Sequence, residues 1–583
     1  MKTSNFILVA LLLMLNFGLS AQKKDSIINR NVTVEREYKP VIQDAGKINS
    51  MPKVLEPKVE KTQAKYSDFN LPLTADFNIH TLPAAELERE KRRESKGGFG
   101  RVGLGNHFNT LADFAYPIIK MPDLRMDVSL NHFATFGEKA HSTTKAALAF
   151  DKYFDNFDLY AGVGGGHEYL KYYGDNYNSK NVITDLNSLL NQGSNYQAKN
   201  RTGINSNLMS LSNLTKDSTN ETFWRFNANL GIRSLPLSTD LRYLAEMQYN
   251  VFDAHNGLTE HVIHSKAGFN ALSKENRVGV DVDLYNMMYQ TVKPMIISSP
   301  NAYSVLALNP YYSIEQSNFD VRLGVKSSFS FGHGKTFNPS LDVRVEWKAI
   351  PKYLSMYAGI TGGYQVNTMN NFYAENRYLS PGTRIDDTYT PYELFAGLKV
   401  KPLYNLLLDA YIDYRRIDNQ YFFANREYNP QNKTADSTIF TNRFDALYSG
   451  ASHLKIGMRA NYNLRNRVNV ELKGAYNGWS VDNMQYAWNK PKWEANMNAD
   501  VHITRELSVS VNAFLEGARY AKIGDTAIRM RPKIDINLGT SYAYNNWLTF
   551  FGKVNNLINN PYQEYYGYQV QGINALVGAS FSF

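Results

Sequence analysis

The last twelve residues of the chain, 572–583, alternate between two kinds of side chain. Ala575, Val577, Ala579, Phe581 and Phe583 share one face of a strand at period two, and the opposite face is small and mostly polar. A chain that ends on such a strand must pair it with another strand. An outward apolar face opposite a small polar face is typical of a transmembrane β-barrel, whose strands contact lipid on one side. One strand alone does not decide between this fold and a soluble β-protein.

Composition favours the barrel. The 583 residues include 40 Tyr, 31 Phe and 6 Trp, yet the mean hydropathy is −0.42. Beyond the N-terminus, no run approaches the roughly 18 apolar residues that a spanning helix requires. In alternating strands, apolar lipid-facing residues and polar lumen-facing residues average to a low mean hydropathy, so a membrane-spanning barrel contains no long apolar run. A soluble all-β protein rich in tyrosine is the weaker alternative.

Cysteine and charge exclude several classes of site. With no cysteine, the chain has no disulfide framework, thiol nucleophile, cysteine-ligated metal or lipidated cysteine. The formal net charge is +9, but acidic residues are interleaved with the Lys and Arg. This pattern indicates a solvated surface and predicts no nucleic-acid partner.

The N-terminus has the pattern of an export signal. Met1 and Lys2 give a positive start, 6–15 is apolar, and 18–21 (Gly-Leu-Ser-Ala) ends in small residues. A signal peptide is therefore predicted over 1–21, with export to the periplasm or outer membrane of a Gram-negative cell.

Residues 22–96 differ from the rest of the chain, since five prolines interrupt every periodic run and 86–96 is almost entirely charged. An extended periplasmic segment is predicted here, followed by a barrel over 97–583. Within it, a short β-like run around Val32, Val34 and Glu35 could pair with the sheet edge of a periplasmic partner. The alternative is an ordinary linker.

From Gly97 onward, repeated alternating segments predict an all-β fold, a transmembrane antiparallel β-barrel of about 22 strands within a range of 16–22. If the chain enters from the periplasm, connections after odd-numbered strands are external and long, and those after even-numbered strands are short. The long predicted connections all fall on the odd side: 173–222, 367–391, 418–452 and 480–491. Tight links on the even side include 155–156, 404–405 and 545–546.

Side-chain alternation within single strands predicts a polar lumen. In 341–347, apolar residues alternate with Asp342, Arg344 and Glu346. Tryptophans near strand ends fit the aromatic girdles of the membrane interfaces, with packing against loops as the alternative. These are Trp224, Trp347, Trp479, Trp493 and Trp547.

The strand before the last one adds a motif. Val554-Asn555-Asn556-Leu557 is followed by Pro561, Tyr562, Gly567, Tyr568 and Gly572, and then by the terminal strand. Taken together, residues 554–583 resemble the C-terminal end of the TonB-dependent receptor barrels of Gram-negative outer membranes.

The resemblance has several implications. It implies an outer-membrane location, outer-membrane lipid around the barrel, and recognition of Phe581 and Phe583 as an assembly signal by the barrel-assembly machinery. It also implies a function in solute transport or reception across the outer membrane. Receptors of this family carry a folded plug domain before the barrel, which the proline-rich residues 22–96 cannot supply. The chain is therefore expected to lack a plug.

Candidate chemistry is sparse. The letters of Gly98–Gly103 match a dinucleotide fingerprint, but they begin a strand and no helix follows to hold a pyrophosphate. His261 and His264 are three residues apart in a strand, which places them on opposite faces and prevents them from sharing a metal. The sequence predicts no enzyme, no catalytic residue, no cofactor and no metal site.

Two functions remain open. One is a plugless receptor-type transport barrel, whose amide-rich loops, including Tyr421, Phe422, Phe423 and Tyr428, are either carbohydrate- or protein-binding or simply solvated. The other is a non-transporting subunit or scaffold of a larger outer-membrane assembly or secretion complex. Its loops and N-terminal segment would dock periplasmic or surface-exposed protein partners. Apolar residues within 69–82 are predicted to bind the lumen rim or such a partner.

Overall fold

The computed structural model describes residues 97–174, 177–178, 220–235, 241–255, 258–273, 276–291, 302–380, 382–428, 439–465 and 467–583. The described residues belong to one compact unit. The predicted signal peptide 1–21, the segment 22–96 with Val32, Val34 and Glu35, and the side chain of Tyr428 lie outside the described part.

The described strands run almost without interruption along the chain. Those of the first half are β1 (Phe99–Gly105), β2 (Thr110–Lys120), β3 (Leu124–Thr135), β4 (His141–Tyr153), β5 (Phe157–Lys171), β6 (Tyr177–Asn178), β7 (Asn220–Ser234), β8 (Leu241–Ala254), β9 (Leu258–Ser273), β10 (Asn276–Thr291), β11 (Ala302–Glu315), β12 (Phe319–Phe331) and β13 (Phe337–Ile350).

Those of the second half are β14 (Leu354–Gln365), β15 (Thr388–Leu403), β16 (Leu406–Tyr428), β17 (Ile439–Leu464), β18 (Val468–Val481), β19 (Trp493–His502), β20 (Leu507–Glu516), β21 (Arg519–Ile523), β22 (Thr526–Met530), β23 (Lys533–Ala543), β24 (Leu548–Asn555), β25 (Gln563–Tyr565), β26 (Tyr568–Gln569) and β27 (Asn574–Ser582). Among the described residues, the α-helix α1 (Met369–Glu375) lies between β14 and β15, and a short 3-10 helix (Asn106–Phe108) lies between β1 and β2. No helix among the described residues is long and apolar enough to cross a membrane.

Twenty-two of these strands form a closed antiparallel barrel, which confirms the predicted fold and strand number. The barrel closes where β1 pairs with β27, with Phe99 opposite Ser582. The Gly98 amide donates to the Phe583 carbonyl (2.6 Å), and the Phe583 amide donates back to the Gly98 carbonyl (3.0 Å). The short strand β6 pairs with the first two residues of β17. Strands β21–β22 and β25–β26 form separate hairpins.

The two faces of each strand follow the predicted alternation. Leu341 and Trp347 are 48% and 54% exposed on the outer surface, whereas Asp342 between them is 3% exposed. Val577 on the terminal strand is 67% exposed, and the neighbouring Leu576 points inward at 6%. The barrel therefore presents an apolar outer surface and a polar inner one.

Glycines make room for tyrosines on the inner wall. A Cβ atom at Gly279 or Gly397 would overlap the ring of Tyr311 or Tyr357 on the neighbouring strand, and Gly231 and Gly457 face tyrosines in the same way. Basic side chains cover several of these rings. The distances to the ring centroids are 3.6 Å for Arg322 on Tyr311, 4.8 Å for Lys399 on Tyr357 and 5.0 Å for Arg459 on Tyr411. The aromatic rings thus tie adjacent strands together inside the barrel.

Long and short connections segregate between the two ends of the barrel, as predicted. The connection after β5 covers 172–219, whereas β15 and β16 are joined by 404–405 alone. One predicted loop is wrong in extent. Strands β16 and β17 continue far beyond 417 and begin well before 453, so most of 418–452 is a paired hairpin.

Candidate functional site

The connection 366–387, here called the cap loop, folds into the external mouth of the barrel. The sequence predicts it only as a long external connection. In the structure Met369, Phe372, Leu379 and Ile385 are all at most 3% exposed. Helix α1 begins at Thr368, whose hydroxyl accepts from the Asn371 amide (3.1 Å). The apolar content of 369–385 is the sequence signal for this burial, because a solvated loop does not need it.

The cap loop crosses the mouth. It leaves the wall between β14 and β15, the thirteenth and fourteenth barrel strands, and its Tyr373 packs on Phe223 of β7 and Phe252 of β8. The ring centroids lie 4.6 Å and 5.1 Å from that of Tyr373. Strand β7 is the sixth barrel strand, seven positions from β14 and eight from β15 in a ring of 22, so the loop reaches well across the mouth.

The same core includes the opposite wall. Leu379 forms a parallel bridge with Phe444 of β17, and the Ser380 amide donates to the Phe444 carbonyl (2.7 Å). Strand β17 is the sixteenth barrel strand, nearly diametrically opposite β7. The buried cluster, here called the mouth core, therefore joins both sides of the barrel.

A second inserted segment, 562–569 between β24 and β27, supports the cap loop. The Tyr568 ring stacks on Tyr378 with centroids 3.6 Å apart, and the Tyr565 hydroxyl donates to the Glu375 carbonyl (3.1 Å). Gly567 turns the chain between them at φ +87°. Residues of the C-terminal motif are thus part of the mouth core.

A buried carboxylate anchors the end of the cap loop. Asp387 accepts hydrogen bonds from the hydroxyls of Tyr303 and Tyr364 (both 2.9 Å) and from the Asn367 amide (3.0 Å). Burial raises the pKa of Asp387 above its usual range. At the start of the loop, the Met369 amide donates to the Glu260 carboxylate (2.9 Å). These bonds attach both ends of the loop to the wall.

An ion pair links the cap loop to a neighbouring external turn. His333, in the connection between β12 and β13, lies 2.8 Å from Asp386, which also pairs with Arg384 at 2.6 Å. The hydrogen bond to Asp386 raises the pKa of His333, although partial burial opposes it. The imidazolium form therefore stabilises this contact.

Two aromatic predictions are wrong. Phe422 is fully buried and packs with Trp479 and Trp488, and Phe423 belongs to the mouth core, so neither is free in a loop. Trp479 also stacks on the buried His453 with centroids 4.0 Å apart, which makes it an internal residue and not part of a girdle. Phe422 and Phe423 are adjacent on β16 and therefore point to opposite faces of the extended hairpin, and both faces are covered by other residues. The remaining tryptophans predicted for the girdles are exposed on the outer surface, namely Trp224, Trp347, Trp493 and Trp547.

Below the mouth core, charged pairs line one arc of the lumen wall. Asp342 pairs with Arg322 (2.8 Å) and Arg344 (3.2 Å), and Lys455 pairs with Glu494 (2.8 Å). The interior is accordingly polar and carries both signs of charge, as strand alternation predicts.

The two candidate histidines have separate partners. His261 Nδ1 lies 2.8 Å from the Tyr249 hydroxyl, and His264 Nε2 lies 2.9 Å from Asp283. Among the described residues, no group of three or more acidic or histidine side chains is arranged to hold a metal. The strand β1 begins within the glycine run 98–103, as predicted.

Phe581 and Phe583 lie on the outer surface at the closing strands. Phe581 stacks on Trp547 (6.2 Å between centroids) and Phe583 on Tyr116 (6.0 Å). The structure thus places both rings facing lipid, while their role as an assembly signal stays a prediction.

No family model and no curated protein matches the sequence. Solved structures do match. The ferric-catecholate import receptor Fiu from E. coli K12 is 10% identical, with 84% of this chain and 82% of that chain covered at a TM-score of 0.60. A mutant of the ferric enterobactin receptor PfeA from Pseudomonas aeruginosa is 12% identical, with 84% and 80% covered and a TM-score of 0.57. The copper transporter OprC is 11% identical, with 84% and 81% covered and a TM-score of 0.58.

These matches define the class of the fold. The chain has the 22-strand barrel of the TonB-dependent receptors of the outer membrane, as the C-terminal motif indicates. The matched proteins are transport receptors, not enzymes.

Proposed function

We propose that this protein is an outer-membrane receptor barrel that receives or passes a solute through its lumen, and that the cap loop closes its external mouth. The mouth core carries this proposal, because it joins nearly opposite walls of the barrel through buried aromatic side chains. A barrel of this size would otherwise leave a wide opening. The likeness to receptor barrels supports an outer-membrane location.

The proposal includes two features that rest on the sequence. We infer that residues 22–96 follow an export signal over 1–21 and do not form the folded plug of the receptor family. Energised uptake through TonB is then weak or absent, unless the run around Val32, Val34 and Glu35 pairs with TonB or another periplasmic partner. Growth on candidate solutes in strains with and without TonB tests this. A TonB-dependent phenotype that is lost when this run is deleted would contradict the plugless proposal.

Solute flux into proteoliposomes tests the main proposal. The intact protein should pass little of a small neutral solute, and a variant with a weakened cap loop, Asp387→Ala with Glu260→Ala, should pass much more. A matched double variant at exposed acids outside the cap loop, Asp482→Ala with Asp525→Ala, controls for the loss of charge. Equal flux through all three would contradict a closing role for the cap loop. Stable recovery of the barrel in a larger complex from native membranes, without flux in any variant, would favour the scaffold function.

A further inference from the structure

We infer that the lumen wall from β17 to β1 binds a carbohydrate that carries an acidic group. This inference rests on the proposed function, since it names the class of solute. The wall there forms a groove of about 690 Å³, within the range of small-molecule sites. Its hydroxyl and amide groups come from neighbouring strands and are Asn463, Asn469, Ser508, Ser510, Ser541 and Ser580.

The register of three strands explains the shape of the groove. Ser510 of β20 lies opposite Gly539 of β23, which lies opposite Lys553 of β24. Because Gly539 has no side chain, the Ser510 hydroxyl lies over it, and a Cβ atom at this position would overlap that hydroxyl. Ser508 and Ser541 form the next facing pair. The wall therefore offers hydroxyls on adjacent strands around an open space.

An aromatic side chain borders these hydroxyls. Phe551 is half-buried, lines the groove and rests against two glycines. Its Cζ atom would lie 3.3 Å from a Cβ at Gly103 and 2.5 Å from one at Gly578. Sugars combine hydroxyls with flat apolar C–H faces, and a ring beside hydroxyl and amide groups matches both.

The groove contains a lysine without an ion partner among the described residues. Lys455, another lysine of the lumen, is by contrast paired with Glu494 at 2.8 Å. Lys553 is exposed and forms no ion pair or hydrogen bond with the described part of the chain. An unpaired ammonium can donate to a carboxylate of the solute.

The other charges of the groove limit the ligand. Arg101 is occupied by Asp113, with its Nε 2.8 Å from that carboxylate. Asp500 also lines the groove and can accept sugar hydroxyls, but it repels a polyanion. These groups fit a sugar with a single acidic group better than a neutral or a highly charged one.

Calorimetry on the purified full chain tests the inference with two probes, cellobiouronic acid and cellobiose, which differ only in a carboxylate. We expect the acid to bind at least about tenfold more tightly, as one charge-assisted hydrogen bond provides. Lys553→Gln should abolish this preference, and Lys455→Gln, which changes a paired lumen lysine, should preserve it. Gly539→Val should weaken the binding of both sugars, because the valine side chain would displace the Ser510 hydroxyl.

Several results would overturn the inference: no binding of either sugar, equal binding of both, or an unchanged preference in Lys553→Gln. Heat-modifiable migration in SDS confirms that each variant is still a barrel. Binding is measured without flux, so the two proposals fail separately. Flux without sugar binding overturns only this inference, whereas binding without any flux counts against transport.

Discussion

Removal of the Asp387 carboxylate should open the mouth. Asp387→Ala deletes three hydrogen bonds of 2.9, 2.9 and 3.0 Å. Hydrogen bonds to a charged group contribute about 1.5–3 kcal/mol each, but they are not additive, and the substitution also removes the cost of burying the carboxylate. We therefore expect Asp387→Ala to destabilise the closed state of the mouth, relative to the open state, by about 2–4 kcal/mol. At about 1.4 kcal/mol per factor of ten, the open fraction should rise roughly thirtyfold to seven-hundredfold.

The absence of cysteine in the sequence allows a direct assay. Ser380 is 0% exposed in the cap loop, so a Ser380→Cys reporter reacts with a maleimide only when the loop detaches. The labelling rate is then proportional to the open fraction, as in hydrogen exchange. The measurement does not depend on what occupies the lumen.

Two comparisons make the result decisive. Asp482→Ala, in the same reporter background, removes an external carboxylate that pairs with Arg416 outside the cap loop, and should leave the rate within about twofold, as for a surface ion pair. If Asp387→Ala is labelled no faster than the reporter alone, while still migrating as a folded barrel, the anchoring role of Asp387 is refuted.

Three further predictions concern pH, packing and assembly. Because Asp386 raises the pKa of His333, its stabilisation of the cap loop is complete below the free imidazole pKa of about 6.5 and is lost as pH rises through the raised value. Reporter labelling, normalised to a free thiol, should therefore increase from about pH 6.5 to 8.5, and His333→Gln should flatten this dependence. Gly397→Ala places a methyl group against the Tyr357 ring and should lower the free energy of unfolding in detergent by about 1–3 kcal/mol. Gly100→Ala, where a Cβ atom would have no neighbour within 4 Å, should leave the free energy of unfolding unchanged. Deletion of Phe583 should lower the amount of barrel in the outer membrane, and wild-type levels would contradict its role as an assembly signal.

The sequence alone determined the barrel fold and the segregation of its long and short connections. Period-two alternation is a local property, since each strand such as 341–347 carries its own lipid face and lumen face. The segregation of long and short connections distinguished the two ends of the barrel. The terminal motif ending at Phe583 indicated the strand at which the barrel closes. The predicted tight link 404–405 agrees with the structure, whereas the predicted loop 418–452 is wrong along β16 and β17. There, aromatic residues are buried on both faces of the strand, so the period-two alternation that predicts a barrel strand is absent.

Only the tertiary structure decided where the cap loop packs. The side chains of the cap loop are visible in the sequence, but their partners lie on β7, β8 and β17, far away in the chain. Likewise, Phe422 and Trp479 are aromatic residues near strand ends, and nothing local distinguishes a girdle from a buried core. The groove beside Lys553 depends on register between β20, β23 and β24, which sets Gly539 between two polar groups. Burial and register arise from contacts between distant strands, and a local pattern does not contain them.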